Sequence, residues 1–181
     1  MPRSNKSTYN KPRRERCLVL GDSIVRIVGA EKSDMRVECF PGIRSDQLRR
    51  VINKDLGCTD AVVIHVGTND VRSARNLDYV MGEVYDLVNT AKTKFQGSSL
   101  IASGVMRSTG VSWRRVVAAN YRLGWVAGTL GVTFVDPNSW IRDGDFGKDG
   151  LHLNRRGTKQ LGEIYSRVCE RGFKHQEVTN N

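Results

Sequence analysis

The chain lacks any long hydrophobic run. Its longest apolar segment, residues 61–66, has about six residues, whereas a membrane-spanning helix needs roughly 18 or more. The N-terminus is polar and basic, unlike a secretory signal. With 181 residues, of which 39% are hydrophobic, the chain can build the core of one domain and hardly of two. We therefore expect a soluble, single-domain protein located in the cytoplasm.

Cysteine and histidine are scarce and scattered. The four cysteines, Cys17, Cys39, Cys58 and Cys169, form no C-x-x-C pair, and the chain has three histidines. Zinc sites and disulfide frameworks require such residues at characteristic spacings. The sequence therefore predicts neither a metal site nor a disulfide network.

Negative charge is also in short supply. Asp and Glu number 19 against 29 Lys and Arg, for a formal net charge of +10, and residues 1–16 carry six basic residues and one acidic residue. A polar, basic segment of this kind favours disorder and attracts nucleic acid or anionic lipid. We predict a flexible basic arm over residues 1–16, which either contacts RNA or an anionic membrane or is only a solvated tail. Residues 174–181 are predicted to fray, which leaves 17–173 as the folded domain.

Short apolar runs alternate along the chain with amphipathic segments. Runs that stop at Gly, Pro or Asp are typical of buried parallel strands, and they occupy 17–20, 35–40, 61–66, 100–105 and 132–135. Hydrophobic residues at helical spacing occupy 44–56, 76–96, 112–130 and 155–171. This alternation predicts a three-layer α/β/α fold with a five-stranded parallel sheet. The expected strand order is 2-1-3-4-5, as in flavodoxin-like sheets.

Polar motifs follow several of the predicted strands. In such sheets, ligands bind beyond the carboxyl ends of the strands. The motifs supply a hydroxyl, a backbone glycine, a side-chain amide and an acid–base pair, and they are Gly21-Asp22-Ser23, Pro41-Gly42, Gly67-Thr68-Asn69-Asp70 and Asp149-Gly150-Leu151-His152. A nucleophile, oxyanion donors, a general base and its orienting acid are what an acyl-transfer site needs.

Each of these motifs also has a purely structural explanation. Ser23 could cap a helix, Gly42 could serve a turn, and Asn69 could form an Asx turn. Asp149 and His152 could lie on a surface loop. Their joint occurrence at one predicted sheet edge favours the functional interpretation.

Other polar residues near these motifs are predicted to be structural. His65 falls inside the third strand and is expected to be a core histidine with a hydrogen-bond partner. Asp22 and Asp70 are expected to hold their loops in shape. Asn154 is predicted to be the N-cap of the last helix.

The motifs resemble those of the SGNH (GDSL-type) hydrolases over roughly residues 16–172. The Gly-Asp-Ser, Gly-x-Asn-Asp and Asp-x-x-His blocks of that family match 21–23, 67–70 and 149–152, and its second-block glycine falls on Gly42. Ile24 replaces the leucine that usually follows the serine, and the poorly defined fourth block is placed at 104–106.

The resemblance implies a serine esterase that needs no metal or cofactor. Its catalytic triad would be Ser23, His152 and Asp149. Its oxyanion hole would consist of the backbone N–H groups of Ser23 and Gly42 and the side-chain amide of Asn69. Water would hydrolyse the acyl-enzyme that Ser23 forms.

A narrower resemblance concerns residues 37–44 and 65–70. The amino-acid sequences of these two segments are similar to those in the esterase domain of first-open-reading-frame proteins of LINE-type retrotransposons. This resemblance implies an RNA-associated parent protein. The alternative function is therefore an RNA- or anionic-lipid-binding module whose hydrolase site is idle or secondary. The intact Ser23, Asn69, Asp149 and His152 disfavour an idle site.

The substrate is less closely defined by the sequence. No insertion is long enough to form a lid, which favours a small acyl group such as acetyl, carried on a lipid, a sugar or a thioester. Apolar residues in the loops after the fourth and fifth strands either line the acyl pocket, touch lipid, or simply pack under the loops, and they are Met106, Val111, Trp113, Trp140 and Ile141.

Overall fold

The computed structural model describes the backbone of residues 15–179 and the side chains of residues 15–172. Most of the predicted basic arm, residues 1–14, lies outside the described residues, as do residues 180–181. The first strand begins at Cys17, the position where the sequence predicts that the folded domain begins.

Five parallel strands form one sheet. They are β1 (Cys17–Gly21), β2 (Met35–Cys39), β3 (Ala61–His65), β4 (Ser99–Ser103) and β5 (Thr133–Val135). Their order across the sheet is β2-β1-β3-β4-β5, and every neighbouring pair is parallel. The predicted strand order is confirmed. Since β1 and β3 are neighbours, their carboxyl ends bring the motifs at 21–23 and 67–70 to the same edge of the sheet.

Within the described residues, five α-helices flank the sheet. They are α1 (Ser45–Val51), α2 (Thr68–Ser73), α3 (Leu77–Lys94), α4 (Trp113–Thr129) and α5 (Arg155–Thr179). Short 3₁₀ helices cover Ser23–Val25, Pro137–Ser139 and Asp143–Asp145. None of the described helices is both long and apolar enough to cross a membrane.

Successive residues of the central strands pack alternately into two core layers, one on each face of the sheet. Cys17 and Val19 of β1 pack on one face with Tyr165 of α5, whereas Leu18 and Leu20 pack on the other face with α1 and α3. Helices on both faces explain why the strands are apolar on both sides, as parallel sheets require. The three-layer α/β/α architecture is confirmed.

Two helix ends differ clearly from the sequence predictions, and one short helix is an addition to them. Helix α1 stops at Val51 rather than at 56, since the polar segment 53–55 and Gly57, with a φ of 73°, follow it. Helix α5 continues to Thr179 and so enters the segment 174–181 that was expected to fray. The sequence predicts a loop at the position of α2. The six residues of this helix are too few for a helical periodicity to be visible.

Candidate active site

The nucleophile candidate Ser23 follows a tightly packed turn at the end of β1. A Cβ atom added to Gly21 would lie 2.5 Å from the carbonyl oxygen of His65, so only glycine allows β1 to end so close to β3. Asp22 is buried, and its Oδ1 accepts a hydrogen bond of 3.0 Å from the N–H of Ile24. This bond caps the 3₁₀ helix that begins at Ser23, which supports the predicted loop-shaping role of Asp22.

Ser23, His152 and Asp149 form one hydrogen-bonded relay. The His152 Nε2 atom lies 3.0 Å from Ser23 Oγ, and the Nδ1 atom lies 2.7 Å from Asp149 Oδ2. The other carboxylate oxygen, Oδ1, accepts the N–H groups of Leu151 and His152, each at 3.0 Å. The three predicted catalytic residues are thus brought together, although 129 positions separate Ser23 from His152.

The carboxylate of Asp149 is strongly favoured in its charged form. The hydrogen bond from His152, followed by those from the two backbone N–H groups, lowers the pKa of Asp149 to about 2. The carboxylate therefore stays ionised at any pH above about 3. A charged acceptor at Nδ1 holds the proton there and leaves Nε2 free to accept the hydroxyl proton of Ser23.

Three donors predicted for the oxyanion hole lie on segments that follow the neighbouring strands β1, β2 and β3. Among the described residues, the backbone N–H groups of Ser23 and Gly42 donate to no acceptor. Gly42 has a φ of 77°, a left-handed conformation that favours glycine. The Asn69 side-chain amide donates one hydrogen bond of 3.1 Å to the carbonyl of Ile43, which leaves its second hydrogen available.

A buried carboxylate ties the loops of Gly42 and Asn69 together. Both oxygens of Asp70, the residue after Asn69, accept the N–H of Ser45 at 3.1 and 3.2 Å. Burial raises the pKa of Asp70, and the hydrogen bonds from Ser45 oppose this shift. The contact joins the start of α1 to α2, so Asp70 holds the loops in shape, as the sequence predicted.

His65 is a core residue directly beneath the site. It is buried at the end of β3, beside Gly21 of β1 and Ser103 of β4. Its Nδ1 atom lies 2.6 Å from the hydroxyl of Tyr165 and 3.1 Å from that of Ser103, and burial lowers the pKa of His65. The predicted core role of His65 is confirmed. Its partners were missed, since Tyr165 looks in the sequence like one more apolar residue of a helical stripe.

Replacing Tyr165 with phenylalanine is expected to lower the free energy of unfolding by about 1–3 kcal/mol, because it leaves buried polar atoms of His65 and Ser103 without this partner. Urea denaturation measures the change. Tyr121→Phe, at a position that is 81% exposed, is the matched control and should leave stability unchanged. Equal stability of the Tyr165 variant and the native protein would contradict the assigned network.

The apolar loop residues separate into two groups. Met106 and Ile141 are fully buried in the core, and Val111 is half-buried against α3 and α4. Packing therefore explains these three residues. Trp113 and Trp140 remain about half exposed, and the guanidinium of Arg107 lies 4.9 Å from the ring centre of Trp113.

Neighbouring structural predictions also have clear outcomes. Asn154 caps α5, since its Oδ1 accepts the N–H of Gly157 at 3.1 Å. In the fourth-block segment, the backbone of Val105 is held by Asn120, whose Oδ1 accepts the N–H of Val105 at 2.7 Å.

Within the described part of the chain, no group of three or more His, Cys, Asp or Glu residues is placed to hold a metal ion.

The comparison with known protein families places the chain among hydrolases. The GDSL-like lipase/acylhydrolase family matches residues 26–160, which is most of the chain. The matched range includes Gly42, Asn69, Asp149 and His152 and begins three positions after Ser23. A search of curated protein sequences gives no significant match.

Solved structures of low sequence identity share the fold. A candidate acylhydrolase from Bacteroides fragilis has a TM-score of 0.77 at 19% identity, over 90% of this chain and 91% of that chain. A carbohydrate esterase of family 3 from Talaromyces cellulolyticus has a TM-score of 0.67 at 17% identity, over 86% and 98%. An acetylxylan esterase from Geobacillus stearothermophilus has a TM-score of 0.66 at 17% identity, over 88% and 96%.

Proposed function

The chain belongs to the GDSL-like lipase/acylhydrolase family, and on that premise we propose that it is a serine esterase that hydrolyses short-chain acyl esters. Family membership makes it a hydrolase. The observation that carries the finer proposal is the continuous relay from Ser23 Oγ through His152 to Asp149, with contacts of 3.0 and 2.7 Å.

In the proposed reaction, Ser23 Oγ attacks the ester carbonyl while His152 Nε2 accepts the hydroxyl proton. The charged Asp149 stabilises the imidazolium that forms. The single bond between the former carbonyl carbon and the oxygen of the leaving alcohol then breaks, and His152 gives its proton to that oxygen. Water, deprotonated by His152, hydrolyses the acyl-enzyme and regenerates Ser23.

The negative charge on the carbonyl oxygen needs donors in place before the reaction begins. The free N–H groups of Ser23 and Gly42 and the second amide hydrogen of Asn69 supply them. Each such donor contributes roughly 10²–10³ in kcat in comparable sites. The bond from Asn69 to Ile43 and the bonds from Ser45 to Asp70 fix the loops that carry these donors, so little reorganisation is required.

A small acyl group such as acetyl is the proposed substrate unit. At this edge of the sheet, the connection between β4 and α4 covers only residues 104–112, and the longer connection between β5 and α5, residues 136–154, is taken up by two short 3₁₀ helices and the turn that carries Asp149 and His152, which leaves little chain for a lid. Two of the structural neighbours are named for carbohydrate ester substrates, which supports esters of small acyl groups.

Acetyl and butyryl p-nitrophenyl esters are expected to be hydrolysed with a kcat/KM at least about tenfold above that of octanoyl and palmitoyl esters, because a site without a lid cannot enclose a long chain. The measurement is a series of initial rates at sub-saturating ester, with Ser23→Ala at the same concentration to subtract background hydrolysis. A kcat/KM that rises steadily to the palmitoyl ester would contradict the small-acyl proposal.

An alternative proposal is a module that binds RNA or anionic lipid and carries a secondary hydrolase site. It is supported by the basic segment 1–16 and by the narrower resemblance of residues 37–44 and 65–70 to LINE-type esterase domains. Binding of the full chain to single-stranded RNA and to anionic vesicles, at low and high salt, tests this proposal. A cytoplasmic location stays a prediction from the sequence.

A further inference from the structure

The turn that carries the acid and the base of the relay has little support of its own. Residues 147–152 contain no helix or strand, and the single antiparallel bridge between Phe146 and Leu153 closes the turn. The side chain of Asp149 is 52% exposed. The position of its carboxylate must therefore depend on whatever holds the backbone of this turn.

Thr109, in the loop between β4 and α4, makes two hydrogen bonds to this turn. Its backbone N–H donates to the carbonyl of Gly150 at 2.9 Å, and its Oγ1 donates to the carbonyl of Asp149 at 3.1 Å. In the described structure, every other hydrogen bond of residues 147–152 stays inside the turn, except the one between His152 and Ser23.

The fit between Thr109 and the turn is close. Gly150 has a φ of 62°, and a Cβ atom added to it would collide with Thr109 Oγ1. The loop of Thr109 is itself anchored through Arg107. The backbone N–H of Arg107 donates to Asn138 Oδ1 at 2.8 Å, and its guanidinium forms an ion pair with Asp143 at 2.7 Å. Thr109 thus connects an anchored loop to a turn whose other contacts outside itself include the packing of Leu151 on the core and the bond between His152 and Ser23.

We propose that Thr109 is a positioning residue of the esterase, which holds Asp149 in line with His152 through its bonds to the carbonyls of Asp149 and Gly150. The inference rests on the proposed function of the relay. A misplacement of about 1 Å can cost on the order of 10²-fold in rate. Loss of one of the two hydrogen bonds should have a smaller effect, and we expect kcat to fall about tenfold.

The test replaces Thr109 with valine, which keeps the shape and the backbone N–H but removes the hydroxyl. Its kcat for p-nitrophenyl acetate should fall about tenfold with KM within about twofold, whereas Thr109→Ser should recover kcat to within about twofold. Thr129→Val is the matched control, since that exposed threonine also donates to a backbone carbonyl, that of Trp125 at 3.0 Å, and it should leave kcat unchanged.

Two further measurements separate positioning from general support of the fold. A looser contact between Asp149 and His152 stabilises the protonated imidazole less, so the acidic limb of kcat/KM should move to lower pH. In an Asp149→Asn background, Thr109→Val should change kcat by less than about twofold, because its partner in the relay is already altered.

The outcomes distinguish the two proposals. No hydrolysis by the native protein, or full activity of Ser23→Ala, would overturn the proposed function. An active native protein whose Thr109→Val variant keeps kcat, or loses it equally in the Asp149→Asn background, would overturn the role of Thr109. Thr109→Ala, which adds no atoms, repeats these measurements if the valine variant fails to fold.

Discussion

Replacing Ser23 with alanine is expected to lower kcat for p-nitrophenyl acetate by about 10⁴-fold or more, because it removes the atom that attacks the ester carbonyl in the proposed mechanism. The fold should be retained, since the Ser23 side chain has one hydrogen-bond partner among the described residues, the imidazole of His152. Far-ultraviolet circular dichroism and urea denaturation should therefore give native values.

Covalent labelling provides an independent readout of the same residue. A serine-directed fluorophosphonate should modify the native protein at Ser23 and leave Ser23→Ala unmodified, as judged by intact mass and peptide mapping. Ser139→Ala, at an exposed position on the 3₁₀ helix 137–139, is the matched control and should keep both activity and labelling. Modification of another serine, or an active alanine variant, would refute Ser23 as the nucleophile.

Asp149→Asn is expected to lower kcat by about 10³–10⁴-fold, with the fold intact, because an amide can donate to Nδ1 and stabilise the imidazole tautomer that carries its proton on Nε2. That tautomer cannot accept the hydroxyl proton of Ser23. Steady-state kinetics on p-nitrophenyl acetate measure the loss. Asp86→Asn is the matched control, since Asp86 is an exposed carboxylate with one ion pair, to Arg49 at 2.8 Å.

The pH dependence of the native enzyme follows from the same contact. The pKa of Asp149 is lowered to about 2, so its carboxylate is charged in the folded protein at every pH above about 3. The acidic limb above that pH should therefore reflect one ionisation, that of the general base rather than of Asp149, and kcat/KM should rise with pH and then level off. A second ionisation in the acidic limb, or a flat profile from pH 5 to 9, would show that another pair of groups performs the proton transfer.

The sequence by itself determined the architecture and named the residues of the candidate site. The positions of the strands and helices follow from their distinct periods in the chain, and the order 2-1-3-4-5 is the one expected for five such strands in a flavodoxin-like sheet. The site residues could be named because they belong to short motifs, such as 21–23 and 67–70, that occur where strands end. Gly21 of the first motif also marks the end of β1, because the close approach of β1 and β3 leaves no room for a side chain at that position.

Helix α2 marks one limit of such reasoning. Its six residues are too few to form a stable helix alone, and tertiary contacts hold it in place. Asp70 accepts the N–H of Ser45 from α1, and the guanidinium of Arg115 on α4 donates to the carbonyls of Val71 and Ala74. None of these partners can be identified from the sequence of residues 68–73.

Only the tertiary structure decided which side chains support the site from a distance. Tyr165 reaches His65 across 100 positions, and Thr109 reaches Asp149 across 40. Local periodicity reports that a face is buried, but it carries no information about which polar atoms of two remote segments meet. That pairing depends on how α5 and the β4–α4 loop are placed against the sheet, and this placement is set by the packing of the whole core rather than by any one segment.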